Sequence, residues 1–524
     1  MPDRLSPGIY VEEAPRGEQQ IATPPATLAA FVGRTLRGPI NEPVVVDSID
    51  DFHRQFGPPW QESGLGACLQ DYFENGGRSA IVVRLINGGR RALLRLPAGP
   101  GVLALEALSP GAEEWLRASV DYDNIDPKDN RSFNLVLQRL RGADTELVAD
   151  QEIYARVSVD PSSRRFVADA LLESRLMRVR GAIPFQRPDR TVGAGALAPV
   201  TWVKVDQPGT DGQPLSDYDV IGSATESSGI FALQKVPHFD LLCIPPPGPS
   251  TDIGPAVLLA AIRFCRQRRA MLLLDPPREC ETAEAVVSYL ERLNLASDNA
   301  MMSFPRLVGG AAGEADDKPR ASCGAVAGLL ARSDHGPDPW TPWRQSPRLL
   351  RGSARPVTDL DHNSAEHLIA LGVNVLHRGA GGRVALSGER SLAGPECAVP
   401  AFRSVRVKRM TMMIEEALRH GTRWVVFEVP GGDLRARVRA QVEGFFAALA
   451  ERGAFPTGGG YPPYFVKCDA ETNPQGEDVR GSLHFIVGFA VAGPGHYLVM
   501  RVSQTVEAAR VVPLNMDRFR FAGG

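Results

Sequence analysis

One acidic residue stands where a parallel sheet would place it for chemistry. Asp275 directly follows the apolar run Met271-Leu272-Leu273-Leu274 and precedes Pro276-Pro277. Ligands of parallel α/β sheets bind beyond the carboxyl ends of the strands, so Asp275 could be a carboxylate in a crevice. It could equally cap the turn before the two prolines, and we favour this simpler interpretation.

A second pair resembles half of an acid/base system. His238 and Asp240 lie two positions apart near the start of a predicted strand, without a nucleophile motif beside them. The chain also lacks a phosphate-binding GxxxxGK[ST] loop, an HExxH helix, a GxSxG elbow and a complete GxGxxG loop. We therefore predict no catalytic, cofactor-binding or metal site. The enzyme alternative is a cytosolic hydrolase with a site near Asp275.

The cysteines are not spaced for metal binding or redox chemistry. There are seven, and even the closest pair, Cys265 and Cys280, is far from a C-x-x-C spacing. Most lie in apolar runs such as Leu241-Leu242-Cys243-Ile244. This context predicts buried thiols that behave as small hydrophobic side chains.

The densest basic cluster is Arg403, Arg406, Lys408 and Arg409, at the start of a predicted helix over residues 403–420. Basic side chains at a helix N-terminus oppose the helix macrodipole, a small cost that carboxylates of a partner would offset. The cluster is therefore either an ordinary solvated face or a surface that meets a partner.

Composition limits the class of protein. The chain has 524 residues, 43% hydrophobic and 23% charged, with a formal net charge of −3. These values are typical of a globular protein with several domains, and they argue against nucleic-acid binding through bulk charge. No apolar run reaches the length of a membrane span, and the start Met1-Pro2-Asp3-Arg4 is not a signal peptide. We expect a cytosolic protein without direct membrane insertion.

The elements change in character along the chain. Gly8-Ile9-Tyr10-Val11-Glu12-Glu13 predicts one strand on a proline-rich tether, which must pair with an edge in its own chain or in a neighbour. A compact α/β unit follows from residue 26, then a β-rich stretch over 95–180. Residues 200–395 alternate strands and helices, which predicts a parallel doubly wound sheet.

The C-terminal part has the clearest pattern. The helix over 403–420 ends at Gly421, and the apolar run over 423–428 predicts a strand. Asp433 is predicted to cap the next helix. Two strands over 483–489 and 496–502, separated by Gly493-Pro494-Gly495, predict an antiparallel hairpin.

In order and spacing, these landmarks resemble the tail sheath proteins of contractile phage tails and of phage-tail-like contractile injection systems. The resemblance spans nearly the whole chain. It rests on Pro7-Gly8-Ile9-Tyr10-Val11-Glu12-Glu13, Ala30-Phe31-Val32-Gly33, Gly38-Pro39-Ile40-Asn41-Glu42-Pro43-Val44, Tyr72-Phe73-Glu74-Asn75-Gly76-Gly77, Ser322-Cys323-Gly324-Ala325-Val326-Ala327-Gly328, Leu371-Gly372-Val373-Asn374, Gly421-Thr422-Arg423-Trp424-Val425-Val426-Phe427-Glu428, Phe465-Val466-Lys467-Cys468-Asp469 and Thr472-Asn473-Pro474-Gln475.

The resemblance implies an α/β multi-domain fold. Its domains would be a linking arm (1–22), an inner α/β domain built from both chain ends (23–94 and 399–524), a β-sandwich-like insert (95–180), and a subtilisin-like doubly wound α/β domain without protease residues (181–398).

The resemblance also implies a function. The chain would be a structural, non-enzymatic subunit that forms stacked hexameric rings around an inner tube and contracts to drive the tube through a target envelope. Residues 8–13 and the C-terminal strand Tyr497-Leu498-Val499-Met500-Arg501-Val502 would link neighbouring subunits, and Arg403, Arg406, Lys408 and Arg409 would face the tube. Baseplate and tail terminator proteins would be further partners, assembly would take place in the bacterial cytoplasm, and no cofactor or nucleic acid would be needed. A non-contractile self-assembling scaffold is the remaining alternative.

Overall fold

The computed structural model describes residues 21–22, 27–192, 201–309, 318–335, 340–342, 348–428, 431–474 and 482–514. Over these residues the chain is a mixed α/β protein with several sheets, which confirms the predicted fold class. Two compact units divide the chain. The central unit comprises Thr27–Arg332 and Pro347–Leu392, and the C-terminal unit comprises Met1–Ala26, Ser333–Ser346 and Ala393–Gly524.

The strands are, in chain order, β1 (Ala29–Gly33), β2 (Pro43–Val46), β3 (Ala80–Arg84), β4 (Arg91–Ala98), β5 (Gly101–Pro110), β6 (Leu116–Asp121), β7 (Ser132–Leu140), β8 (Val148–Ser158), β9 (Met177–Val179), β10 (Val203–Lys204), β11 (Leu241–Cys243), β12 (Met271–Leu274), β13 (Ala300–Phe304), β14 (Leu307–Val308), β15 (Arg348–Leu349), β16 (Arg355–Pro356), β17 (Val373–Arg378), β18 (Val384–Ser387), β19 (Tyr464–Lys467), β20 (Leu483–Ala490), β21 (Tyr497–Gln504) and β22 (Ala509–Leu514). The α-helices are α1 (Ile49–Phe56), α2 (Leu65–Glu74), α3 (Val167–Ala170), α4 (Asp217–Ile221), α5 (Pro255–Arg268), α6 (Ala283–Leu293), α7 (Cys323–His335), α8 (His362–Ala370), α9 (Val405–Gly421) and α10 (Gly432–Glu451).

A single large sheet, here called the central sheet, organises the central unit. Its strand order over the described residues is β15-β18-β17-β13-β12-β11-β1-β3-β2. The strands from β17 to β3 run parallel to one another, whereas β15, β18 and β2 are antiparallel to their neighbours. The alternation of strands and helices predicted this parallel arrangement, and the apolar runs are buried because helices connect parallel strands across the sheet faces.

The first α/β segment lies in the central sheet, which differs from the predicted division of the chain. We expected residues 23–94 to share a domain with residues 399–524. Instead β1 pairs in parallel with β11, with Ala29 opposite Leu241 and Phe31 opposite Cys243. The five residues of β1 are all buried, as expected for a strand with neighbours on both edges and both faces covered.

The stretch after β3 forms the predicted β-rich region. One sheet has the order β4-β5-β9 and another the order β10-β6-β7-β8, counted over the described residues. Side chains of both sheets contribute to one apolar core, including Leu94, Leu105, Phe133 and Leu137. The helical part of this region is short, with α3 followed by a single 3₁₀ turn.

The C-terminal unit packs helices α9 and α10 with an antiparallel sheet, here called the C-terminal sheet. Phe446 lies at the centre of its aromatic core, with ring centroids 5.8 Å from Phe455 and 5.8 Å from Phe489. The predicted ends of α9 at Gly421 and the β20–β21 hairpin are confirmed.

Two local predictions in this unit are wrong. Residues Arg423–Phe427 form a 3₁₀ helix and not a strand, because they connect α9 to α10 and no strand of the described residues pairs with them. Asp433 lies inside the first turn of α10, whose N-cap is Gly431. The sequence analysis also did not predict β22.

Candidate functional site

The C-terminal sheet has the order β19-β20-β21-β22, with every neighbouring pair antiparallel. β21 is an inner strand: Val502 lies opposite Phe485 on one side and opposite Val511 on the other. Residues 497–502, predicted as the linking strand, therefore have both edges hydrogen-bonded inside their own chain. A strand with two partners has no free edge for a second chain, so the linking role of residues 497–502 stays a prediction that requires β20 or β22 to be displaced.

The outer strands are β19 and β22. β22 pairs along its whole length, from Val499 opposite Leu514 to Gln504 opposite Ala509. Its residues alternate between half-buried and exposed, and the side chain of Val512 is 52% exposed. An edge strand that is half-buried makes fewer apolar contacts than the inner strands, so β22 detaches at a lower cost than β20 or β21.

Buried amides hold the other strands in register. The Asn473 side chain donates to the carbonyl oxygen of His484 (2.7 Å) and accepts from the N–H of His484 (2.8 Å). The Gln504 side chain donates to the hydroxyl of Thr422 (2.7 Å) and to the carbonyl oxygen of Arg419 (3.1 Å). These bonds fasten β20 and β21 to the rest of the unit. Nothing comparable among the described residues fastens β22.

The predicted tube-facing residues begin α9 and make contacts within the C-terminal unit. Arg409 forms a two-pronged ion pair with Asp334, with 3.2 Å between Nη1 and Oδ1, and each side chain is only 12% exposed. Arg406 donates to the carbonyl oxygen of Trp340 (3.0 Å). Two of the four residues predicted to face the tube, Arg406 and Arg409, therefore make stabilising contacts inside the unit.

The remaining two predicted cations are also engaged. Arg403 donates to the carbonyl oxygen of Pro395. The ammonium of Lys408 lies 4.3 Å from the centroid of the Phe402 ring, in a cation–π contact. All four side chains are partly exposed, but they do not form a row of solvated charges. The arm residues Gly8, Ile9, Tyr10, Val11, Glu12 and Glu13 lie outside the described residues.

The acidic candidate of the central sheet is a helix cap. Asp275 accepts from the backbone N–H and the hydroxyl of Ser322 (both 2.6 Å) and from the N–H of Cys323 (3.1 Å). Its carboxylate thus satisfies the free N–H groups at the start of α7. The cavity beside it, lined in part by Asp252 and Arg306, measures about 20 Å³. That is room for about one water molecule and not for a substrate.

His238 and Asp240 are paired as predicted, with 2.9 Å between Nε2 and Oδ1. The other carboxylate oxygen of Asp240 accepts from the N–H of Leu28 (2.8 Å), directly before β1. The pair anchors the entry to the central sheet. Across the described residues, no group of three or more His, Cys, Asp or Glu side chains is placed to hold a metal ion.

The thiols lie where the apolar context predicted. Six of the cysteines are buried and Cys397 is half-buried. The Sγ atoms of Cys68 and Cys323 are 3.3 Å apart, and this hydrogen bond together with burial raises the pKa of Cys68. A hydrogen bond with Cys243 and burial raise the pKa of Cys323. Burial raises the pKa of Cys468 to about 12. Thiols held in the neutral form are poor nucleophiles and poor metal ligands.

Comparison with solved structures identifies the fold. A sheath tail protein of Listeria innocua matches with a TM-score of 0.60 and 14% sequence identity, over 92% of this chain and 96% of that one. A sheath tail protein of Desulfitobacterium hafniense matches with a TM-score of 0.58 and 12% identity, over 95% of this chain and 100% of that one. The sheath complex of an extracellular contractile injection system, PVC, in its contracted state matches with a TM-score of 0.55 and 14% identity, over 96% and 98%.

The chain therefore has the fold of tail sheath proteins over nearly its whole length, as the resemblance predicted. No protein-family model matches it, and no curated protein matches it significantly by sequence. In the part of the chain that the structure describes, no helix is long and apolar enough to cross a membrane.

Proposed function

We propose that this chain is the structural subunit of a contractile sheath. Subunits form hexameric rings that stack helically around an inner tube, and contraction drives the tube through a target envelope. The match of nearly the whole chain to sheath folds, one of them in a contracted state, carries the proposal. Baseplate and tail terminator proteins are the further partners. The use of Asp275, His238 and Asp240 as structural anchors favours this role over that of a hydrolase.

Electron microscopy of the concentrated, purified protein tests the proposal. We expect striated hollow cylinders wide enough to enclose a tube, because a contracted sheath is the low-energy arrangement. Deletion of residues 1–14 should leave a folded monomer, whereas a chain without residues 1–6, which retains the predicted linking residues 8–13, should still polymerise. Small closed oligomers of the full chain, at all concentrations and in the presence of tube protein, would contradict the proposal.

The linking strand at the C-terminal end is, in this proposal, β22. Exchanging β22 between copies would keep the same hydrogen bonds to β21 while joining two subunits. About five backbone bonds give on the order of 3–7 kcal/mol for each link. Such a link survives rotation of the subunits because the paired strands turn as one body.

Engineered cysteines distinguish exchange from pairing within one chain. Ser503 lies opposite Arg510 of β22 and, on its other side, opposite His484 of β20. In polymers, we expect Ser503→Cys with Arg510→Cys to give covalent ladders of subunits on non-reducing gels. The matched control, Ser503→Cys with His484→Cys, should give only internally linked single chains. Single chains from both pairs would show that β22 is not exchanged.

Contact of α9 with the tube remains part of the proposal. Reversing Arg409 would also break its ion pair with Asp334, so Lys408→Glu is the cleaner test. We expect this variant to co-sediment less with tubes. The exposed Arg423, changed to Glu, is the matched control. Equal co-sedimentation of both variants and the unmodified chain would remove Lys408 from the contact.

A further inference from the structure

Arginines gather at the outermost strand of the central sheet. Arg332 of α7 donates through Nη2 to the carbonyl oxygen of Leu349 in β15. Arg383 donates through Nε and Nη2 to the next carbonyl oxygen, that of Leu350, over 3.3 and 3.2 Å. Arg351 follows directly, and its N–H donates to the side chain of Asn75 (2.7 Å). Two guanidinium groups thus bind consecutive carbonyl oxygens beside a third arginine.

The arginines of this cluster carry positive charge that no carboxylate of the described residues pairs with. In the described residues, Arg332, Arg351 and Arg383 form no ion pair with a carboxylate, and the buried Nη1 of Arg332 has no hydrogen-bond partner. Burial, together with the charges of Arg351, Arg383 and Arg348, lowers the pKa of Arg332 to about 10. No carboxylate is among the causes of that shift.

The acidic side chain of Glu74 lies beside this segment but does not balance the cluster. The Oε2 atom of Glu74 is 3.0 Å from the position that a Cβ atom would occupy on Gly352, next to Arg351. Burial and the charge of Asp71 raise the pKa of Glu74, and the basic residue that acts on it is Arg320. Arg320 itself is paired with Asp71 at 2.7 Å. Glu74 therefore belongs with Asp71 and Arg320 and not with the arginine cluster.

We propose that the surface formed by Arg332, Arg351 and Arg383, here called the arginine surface, binds carboxylate side chains on a second copy of this chain. The inference rests on the proposed function, in which identical copies meet repeatedly. Arg351 and Arg383 are exposed, and guanidinium groups pair with carboxylates in a two-pronged geometry. The 61 acidic residues of each copy outnumber its 58 basic ones, so a second copy offers carboxylates. No described strand covers the outer edge of β15.

Polymerisation of the full chain provides the first test. We expect Arg351→Glu to raise the concentration needed for polymerisation about tenfold, since like charges then face each other. Arg351→Lys, which keeps the charge, should have a smaller effect. Arg164→Glu makes the same charge change at an exposed site without an ion pair and should behave as the unmodified chain. If Arg351→Glu polymerised at the same concentration as the unmodified chain, the proposal would be overturned, while the proposed sheath function would be unaffected.

A labelled hexaglutamate peptide tests the surface without polymerisation. At low ionic strength we expect fluorescence anisotropy to show binding to the unmodified monomer and to Arg164→Glu, and about tenfold weaker binding to Arg351→Glu. Equal binding to all three would overturn the proposal. The proposal would also be overturned if sulfate displaced the peptide far more strongly than chloride at equal ionic strength. That result would indicate a site for small oxyanions. If the unmodified chain never polymerises, the sheath function fails, while the peptide still decides whether the surface binds carboxylates.

Discussion

At the scale of single residues, polar side chains that the sequence marks for chemistry act as partners of the backbone. Asp275 caps α7. Asn374 donates to the carbonyl oxygens of Met302 (3.0 Å) and Arg390 (2.7 Å) and accepts from the N–H of Arg390 (2.7 Å). Asn473 does the same for His484. Buried backbone groups need such partners, and a short amide or carboxylate can supply several bonds at once.

Replacing Asp275 should therefore affect stability. Asp275→Ala removes three hydrogen bonds at the start of α7 and leaves the N–H groups of Ser322 and Cys323 unpaired. We expect a loss of about 2–4 kcal/mol in the free energy of unfolding, measured with urea. Glu291→Ala, an exposed position in α6, should change it by less than about 0.5 kcal/mol. An unchanged unfolding midpoint for Asp275→Ala would contradict the capping role.

Thiol reactivity follows from burial. We expect N-ethylmaleimide to modify Cys397 first in the folded protein, since the other six cysteines are buried. Moderately alkaline pH should not make Cys468 reactive toward the reagent, because the pKa of Cys468 is raised to about 12 and its thiol stays neutral. Mass spectrometry of digested samples measures the labelling, with protein unfolded in guanidinium chloride as the fully reactive control. Rapid labelling of Cys68 or Cys323 in the folded state would contradict the structure.

At the scale of elements, two motifs of the sequence pack against each other. α7 carries Gly324 and Gly328 on one side, facing α2. A Cβ atom on Gly324 would lie 2.0 Å from the carbonyl oxygen of Cys68, and one on Gly328 would lie 2.2 Å from that of Tyr72. The two helices approach so closely that only glycine fits at these two positions. This explains why small residues recur in Ser322-Cys323-Gly324-Ala325-Val326-Ala327-Gly328.

Adding one methyl group at two helical glycines should have opposite effects. Gly328→Ala places a carbon atom against the backbone of α2, and we expect a loss of about 2–4 kcal/mol in the free energy of unfolding. Gly444→Ala in α10 meets no atom within 4 Å and should gain about 0.5–1 kcal/mol, because alanine favours the helix. Thermal unfolding of the two variants side by side measures both. A stabilising Gly328→Ala would show that the helices are further apart.

Helix ends were predictable from the sequence, whereas the partners of elements were not. Gly421 ends α9 as expected, and Asn75-Gly76 ends α2 with the same kind of signal, which acts within a few residues. The run over 423–428 has β-prone residues, but a strand also needs a hydrogen-bonded partner strand, and no strand of the described residues pairs with this run. Likewise the alternation over 496–502 predicts a strand without showing that β20 and β22 flank it. The ion pair between Arg409 and Asp334 joins residues that no local pattern relates.

At the scale of the whole molecule, the fold was predicted by the order of short motifs along the chain. The matched sheath structures share only 12–14% sequence identity with the chain, so overall similarity of sequence is weak although the fold is shared. The pairing of β1 with β11 could not be predicted from the sequence, because nothing in Ala29-Ala30-Phe31 distinguishes one parallel neighbour from another. Assignment of residues 23–94 to a domain depended on that pairing. A sequence pattern shows which segments are strands more readily than it shows their order in a sheet.

The place of β1 in the central sheet also has a consequence for biosynthesis. Roughly 200 residues separate β1 from β11, which pairs with it, whereas β3 on its other side follows much sooner. At about 5–20 residues per second, a ribosome needs about 10–40 s to produce the missing neighbour. The strands of the β-rich region all emerge in that interval, so this region can fold first. Meanwhile one edge of β1 stays open on the nascent chain, and slower translation prolongs its exposure to aggregation and to chaperones.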